Sequence, residues 1–290
     1  MVETLRGEFP VAAVCRALEL SKSGYYAWRN RRKGGPSPRE REDIELRREV
    51  RVAFAESRKT YGRPRLARVL KERNCRIGAN RLRRLMREEG IVAKPRRRFK
   101  TTTDSKHDNP IAPNLVAQNF SVAAPDRVWC ADMTYVRTIE GWLYLAVIVD
   151  LFSRKVVGYA IADHMRTELC LSALEKALGR RSPGAGLVHH SDRGSQYASQ
   201  AYQDMLRAHG CVASMSRAGC CYDNAVVESF NDKIKQELLD RGPLKSGRET
   251  RAAIVDYIEM FYNPHRLHST LGYESPNNFE RKYAAHALAV

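Results

Sequence analysis

Apolar positions along the 290-residue chain recur at helical spacing before about residue 95 and at strand spacing after residue 126. Between residues 10 and 30, Val11, Val14 and Leu18 mark one face, the pattern stops at SKSG, and it resumes with YYAW. This predicts two short helices across a turn. RRKGGPSPRE then predicts a linker, with Gly, Pro and Ser in a charged setting. The helical period returns in EREDIELRREVRVAFAES, RLARVLKER and ANRLRRLMREEG, separated by TYGRP and NCRIG. Three short helices joined by tight turns predict a helix-turn-helix.

From residue 126 the texture is that of strands. RVWCADMTYVRT, GWLYLAVIVDLFS and RKVVGYAIA follow one another closely, with turn signals between them, and predict an antiparallel meander. RTELCLSALEKALGR predicts a helix, GLVHHSD a fourth strand, SQAYQDMLRAHG a helix and CVASMS a fifth strand. After RAGCCYDN comes a long helix, AVVESFNDKIKQELL. The order βββαβαβα implies an α/β fold: a mixed five-stranded sheet flanked by helices, preceded by an all-α region.

Charge separates the same two parts. The chain has 50 Lys and Arg against 33 Asp and Glu; residues 1–110 hold 30 of the basic and 14 of the acidic residues. The first third therefore carries the footprint of a part that sits on polyanion, and the remainder is close to neutral. In the third helix of that region Leu82, Leu85 and Met86 share one face, and Arg81, Arg83, Arg84 and Arg87 surround it. That helix is either a DNA-contacting surface or a solvated basic face that only packs. KPRRRFK adds Arg96, Arg97 and Arg98 as further candidate DNA contacts. The seven cysteines include no C-x-x-C pair, so neither a zinc knuckle nor a disulfide framework is indicated. The longest apolar run, LYLAVIV, is too short to span a bilayer. A cytoplasmic protein with no membrane association is expected.

Three acidic residues occupy unusual places. Asp132 lies inside the first strand among Trp129, Cys130, Met133 and Tyr135, where an unpartnered charge is costly. Asp192 ends the fourth strand, and Glu228 borders the stripe Val227, Phe230, Ile234, Leu238 of the long helix. If the first and fourth strands are neighbours, the three carboxylates converge. Each acid alone could instead make its own salt bridge, Asp192 with Arg193 for example. Convergent carboxylates repel unless cations neutralise them, and a pair of divalent ions about 3.5 to 4 Å apart is the usual arrangement in phosphodiester chemistry. Mg2+ suits such a site, because it takes few carboxylates and keeps positions for water and phosphate, and Mn2+ is expected to substitute. Ser191 lacks the G-x-S-x-G setting of a nucleophile elbow. His189 and His190 read as packed or hydrogen-bonded groups, and Asp150 as the residue that shapes the turn after the second strand.

WCADMTYV, VDLFSRKVVGY, HHSDRGSQY, DNAVVESFNDKIKQE and YNPHRLHSTLGYESP resemble the successive motifs of OrfB-type insertion-sequence transposases, the group named after insertion sequence three. The resemblance runs from about residue 10 to 284. It implies an RNase H-like catalytic fold like that of retroviral integrases, and the DDE acids Asp132, Asp192 and Glu228 as catalytic and metal-binding residues. The spacing fits: 60 positions from Asp132 to Asp192 and 36 from Asp192 to Glu228. Lys235 matches the family's basic residue that holds the DNA end, and Asn231 and His268 join it as candidate DNA contacts.

The resemblance divides the chain into an N-terminal helical segment (1–35), a helix-turn-helix DNA-binding domain (39–95), a basic, Pro-containing linker (96–120) and a catalytic core with a C-terminal extension (121–284). The implied activity is Mg2+-dependent strand cleavage and strand transfer at insertion-sequence ends. The implied partners are terminal-repeat and target DNA, at least one further copy of the chain, and an upstream frameshift partner of the OrfA type; a bacterial, nucleoid-associated location follows. Two other readings use the same residues: a structure-specific nuclease that cuts without joining, and a DNA-binding regulator of transposition.

Overall fold

The computed structural model describes residues 1–93, 109–217, 221–239 and 244–288, without the side chains of 32, 33, 221 and 222. The chain divides into two compact units, Met1–Ala93 and Lys94–Val290.

The first unit is helical. Its elements are α1 (Val2–Leu5), α2 (Val11–Ala17), α3 (Lys22–Lys33), α4 (Pro38–Glu56), α5 (Arg63–Glu72) and α6 (Ala79–Glu88). Residues 31–40, expected as a linker, are mostly helix, and only Gly34–Ser37 separates α3 from α4. The reason is local. Ser37 accepts from the Glu40 amide (3.2 Å), Glu40 accepts in return from the Ser37 amide (2.7 Å), and Pro38 opens the helix. Leu46, Val50 and Ala53 of α4 share a core with Leu66 and Leu70 of α5 and with Leu82, Leu85 and Met86 of α6. Val2, Val14, Cys15 and Tyr25 make a separate small cluster.

The second unit contains β1 (Val128–Thr138), β2 (Gly141–Asp150), β3 (Val156–Ala162), α7 (Thr167–Arg181), β4 (Val188–Ser191), α8 (Ser195–Ala198), α9 (Gln200–Ala208), β5 (Val212–Met215) and α10 (Ala225–Ile234). It continues as a π-helical turn (Lys235–Leu239), α11 (Gly247–Tyr257), a second π turn (Ile258–Tyr262), α12 (Asn263–His265) and α13 (Pro276–Ala287). The sheet order is β3-β2-β1-β4-β5. The first three strands form the antiparallel meander, and β1, β4 and β5 run parallel. One face buries Trp129, Ala131, Ala146 and Ile148 under Leu174, Ala177 and Leu178 of α7 and Tyr202 and Leu206 of α9. On β1 and β2 also packs α10, through the buried stripe Val227, Phe230 and Ile234. Among the described residues no helix is long and apolar enough to cross a membrane.

Residues 109–120, expected as the end of the linker, include a stretch fastened to the core. Val116 is buried and the Leu115 amide donates to Ser214 Oγ of β5 (2.9 Å). Composition rich in Asn, Pro and Ala does not distinguish a free tether from an irregular strap whose amides find partners in the fold.

One packing contact has a large expected effect. A Cβ on Gly158 of β3 would stand 2.4 Å from the Ala173 carbonyl oxygen and 2.6 Å from Ala177 Cβ, both on α7. Gly158→Ala therefore forces α7 off the sheet and is expected to cost about 3 kcal/mol in thermal or urea unfolding. Gly184→Ala, where nothing lies within 4 Å of the added carbon, is the control and should stay within about 0.5 kcal/mol.

Candidate active site

Parallel pairing of β1 with β4 sets Cys130 beside His190. Asp132 and Asp192 each follow by two residues, so both stand at the level where β4 ends. The crevice beyond the carboxyl ends of parallel strands is where α/β folds place their sites. Helix α10 closes this place, with Asn231 Nδ2 donating to Asp132 Oδ2 (2.8 Å) and Asn224 Nδ2 donating to the Ala131 carbonyl (2.9 Å). Glu228 precedes Asn231 by three positions and so lies on the same side of the helix.

The three carboxylates act on one another. Burial is the largest cause that lifts the Asp132 carboxyl to about 8, and the charges of Asp192 and Glu228 add to it, against the Met133 amide and Asn231. Glu228 is also raised, by burial, by Asp232 and by Asp192. Asp192 accepts from the Gly194 amide (2.9 Å). A Cβ at position 194 would stand 3.0 Å from Asp192 Oδ1 and 3.1 Å from Gln196 Oε1, so a side chain there presses on the Asp192 carboxylate. Arg193, the salt-bridge partner considered from sequence, donates from Nε to the Ser216 carbonyl (2.7 Å). Among the described residues no group of three or more His, Cys, Asp or Glu side chains is placed to hold a metal ion. The donor set still fits a hard divalent cation. It consists of carboxylate oxygens at a place where negative charge is costly, and magnesium needs only one or two of them.

The histidines beside the site are occupied in the sheet. His190 shares hydrogen bonds with Ser214 Oγ (2.8 Å) and Ser216 Oγ (3.1 Å), and burial lowers it to about 4. His189 meets the Tyr202 hydroxyl at 3.1 Å and is lowered to about 3, again by burial. Asp150, fully buried, accepts from the amides of Asp126 and Ser153 and from Ser153 Oγ, so it shapes the β2–β3 turn.

Other residues expected to touch DNA have different surroundings. Arg81 and Arg84 both bind the buried Asp43 carboxylate, at 2.7 and 2.5 Å, and pair further with Glu42 and Glu88. They join α6 to α4 through these ion pairs. Arg83 and Arg87 are exposed. Arg96, Arg97 and Arg98 lie outside the described residues. Asn231 is buried and hydrogen-bonded to Asp132, so its position is that of a support for the carboxylate. His268 is 5% exposed and packs edge-on against Tyr262. The long helix expected over 225–239 changes to π geometry at Lys235, whose Nζ lies 4.8 Å from the centroid of the Tyr135 ring.

Sequence reading passed over the residues that brace α10. Asp223 accepts from the Arg217 amide (3.0 Å) and from Asn114 Nδ2 (2.8 Å). The pair Asp223-Asn224 immediately before a helical period was the available signal, since both residues favour helix starts.

Parts of the chain match known protein families. Residues 122–221 and 209–276 match integrase core domain families, and residues 40–99 match an HTH-like domain. The transposase InsF for insertion sequence IS3A of Escherichia coli (strain K12) is 39% identical over 98% of both chains. The uncharacterized 31 kDa protein of insertion element IS600 from Shigella sonnei is 45% identical over 96% of this chain and 100% of its own length. Among solved structures, the HTLV-2 integrase catalytic core domain in complex with magnesium covers 54% of this chain and 97% of its own, with 21% identity and a TM-score of 0.43. The near full-length match to InsF, with an HTH-like domain ahead of an integrase core, shows that the chain belongs to the IS3-type insertion-sequence transposases, which are polynucleotidyl transferases.

Proposed function

We propose that this chain cuts DNA at the ends of an insertion sequence and joins the freed 3′-hydroxyl to a target strand, using Asp132, Asp192 and Glu228. The reading is supported by the parallel pairing that sets Asp132 and Asp192 each two residues past the Cys130–His190 pair, and by the raised Asp132 carboxyl, which burial lifts first and the charges of Asp192 and Glu228 lift further. They would hold two Mg2+ ions, with Mn2+ as a substitute. Divalent ions bound there supply activation of the attacking oxygen and stabilisation of the leaving one.

The chain's own groups do the rest. Asn231 holds Asp132 Oδ2 in place, and the Gly194 amide does the same for Asp192 Oδ1. Lys235, one helical repeat beyond Glu228, brings a cation to the phosphates of the DNA end. The basic first unit grips the duplex, with Arg83 and Arg87 as its exposed contacts on α6. Two ends must be held together for joining, so at least two copies act in one complex, in the bacterial cytoplasm on the nucleoid. An OrfA-type partner made by frameshifting would add a further DNA-binding segment.

The test is incubation with the element's terminal-repeat DNA, a target duplex and Mg2+, with and without the upstream partner, followed by separation of cut from joined strands. Joined products support the reading; cut strands that never join would make the protein a nuclease, and binding alone a regulator. Affinity for duplex DNA should also fall with salt, by about 0.9 in log–log slope for each phosphate neutralised. Arg83→Ala and Arg87→Ala should each lower that slope by about one. Arg81→Ala should instead act on stability, because it removes one of the two guanidinium partners of the buried Asp43 carboxylate.

A further inference from the structure

The second unit presents an exposed aromatic pair on the β1–β2 hairpin. Tyr135 pairs with Tyr144 across the β1–β2 hairpin, and Trp142 pairs with Arg137. That register places Tyr135, Arg137 and Trp142 on one sheet face. The two rings meet edge to face, with centroids 5.2 Å apart at 83°. Both are open to solvent, Tyr135 at 39% and Trp142 at 50% of its surface, while Leu143 and Leu145 on the opposite face of β2 are buried. Lys235 Nζ lies 4.8 Å from the Tyr135 centroid, and Arg137 is exposed beside Trp142. β1 pairs with β4 through Val128–Cys130, so Tyr135 stands on the stretch of β1 that runs past the end of β4. It is three residues, or about 10 Å, beyond Asp132 and on the opposite face of the strand, and Lys235, at the end of the helix that carries Asn231 against Asp132, links the two.

Large exposed rings flanked by cations have a specific chemical complement. A nucleobase offers a flat face for the rings, and its strand offers phosphates for the cations. A base inside a duplex has both faces covered by its neighbours, so only an unpaired base can use the rings. We propose that Tyr135 and Trp142 form a stacking platform for an unpaired base of the DNA strand held at Asp132, with Lys235 and Arg137 against its backbone. The proposal deepens the strand-cutting reading of the carboxylates and rests on it for the identity of the strand. A platform there would favour a frayed end, separating the terminal bases and steadying the strand to be cut.

The experiment uses the full chain in EDTA, so that binding is read without turnover. Fluorescence anisotropy compares a short oligothymidylate with the same strand annealed to its complement. Trp142→Ala and Tyr135→Ala are each expected to weaken single-strand binding about tenfold and duplex binding less than about twofold. Trp142→Phe, which keeps a ring, should recover most of the loss, and Lys235→Ala should weaken both ligands. Equal losses on both DNAs, or no loss on either, would overturn the platform. So would a fall in self-association of Trp142→Ala by sedimentation with single-strand binding intact, since the rings would then face a second copy. A protein that prefers unpaired strands through these rings yet never joins element ends would refute the transposition reading and leave the platform standing.

Discussion

Asp132→Asn should lose strand cleavage and strand transfer by about 10³-fold, the loss expected when several kcal/mol of transition-state charge stabilisation is removed. The same substitution should make the metal-free protein more stable at alkaline pH. The Asp132 carboxyl stands at about 8 in the folded chain against an ordinary 3.8, because burial and the neighbouring acids penalise its charge. The folded state therefore binds this proton more tightly than the unfolded state does. Its contribution to stability is fully present below about pH 4 and is lost as pH rises through 8. Asparagine carries no such charge and keeps an amide at the same place. Thermal unfolding in EDTA should show the wild type losing stability between pH 5 and 8.5. Asp132→Asn should be flatter and more stable at the upper end by something of the order of 2 kcal/mol. Added Mg2+ should stabilise the wild type in that range and have little effect on the variant. Wild-type cleavage by Asp132→Asn, or a less stable variant at pH 8.5 in EDTA, would remove Asp132 from the role assigned to it.

Arg266→Ala should be among the most destabilising single changes in the second unit, at about 3 to 5 kcal/mol. Arg266 is 2% exposed and binds Glu237 through Nε, at 3.1 and 2.9 Å to the two carboxylate oxygens, and through Nη2. The Tyr257 hydroxyl donates to the same carboxylate at 2.7 Å. This group ties together the π turn after α10, helix α11 and the segment after α12. Alanine at 266 takes the guanidinium away from the buried Glu237 carboxylate, and a buried charge stripped of its cation costs more than the lost contact itself. The pair Arg266→Met with Glu237→Met removes both charges and should recover much of the loss. Urea unfolding of the single and double variants checks this, and equal losses in both would show that packing, not charge, dominates. Activity should fall as well, because the turn that begins with Lys235 loses its anchor.

Much of the second unit was legible because its signals are local. Alternation in RVWCADMTYVRT and the apolar run GWLYLAVIV specify strands, and the 3.6-residue stripe in AVVESFNDKIKQELL specifies a helix, whatever surrounds them. The helices beyond residue 246 were less legible. Ser246 and Glu249 form a capping box there, a short signal easily lost among polar residues. The strap near residue 115 was misread for a related reason: its partners, Ser214 and Asp223, are about a hundred positions away.

The sequence by itself determined the order of elements, the separation of a basic helical part from a near-neutral α/β part, and the three acids whose spacing matches the transposase pattern. Periodicity, composition and spacing are written along the chain and need no third dimension. Only the tertiary structure decided which charged groups are free and which are spent. Arg81 and Arg83 look alike in ANRLRRLMREEG, yet the first is held by Asp43, 38 residues earlier, and the second faces solvent. Asn231 looks like a surface amide, yet it supports Asp132 from 99 residues away. A side chain's partner depends on where the backbone returns in space. Hydrogen bonds and ion pairs act only over a few ångströms, so the role of a polar residue is settled when packing brings distant segments to that range.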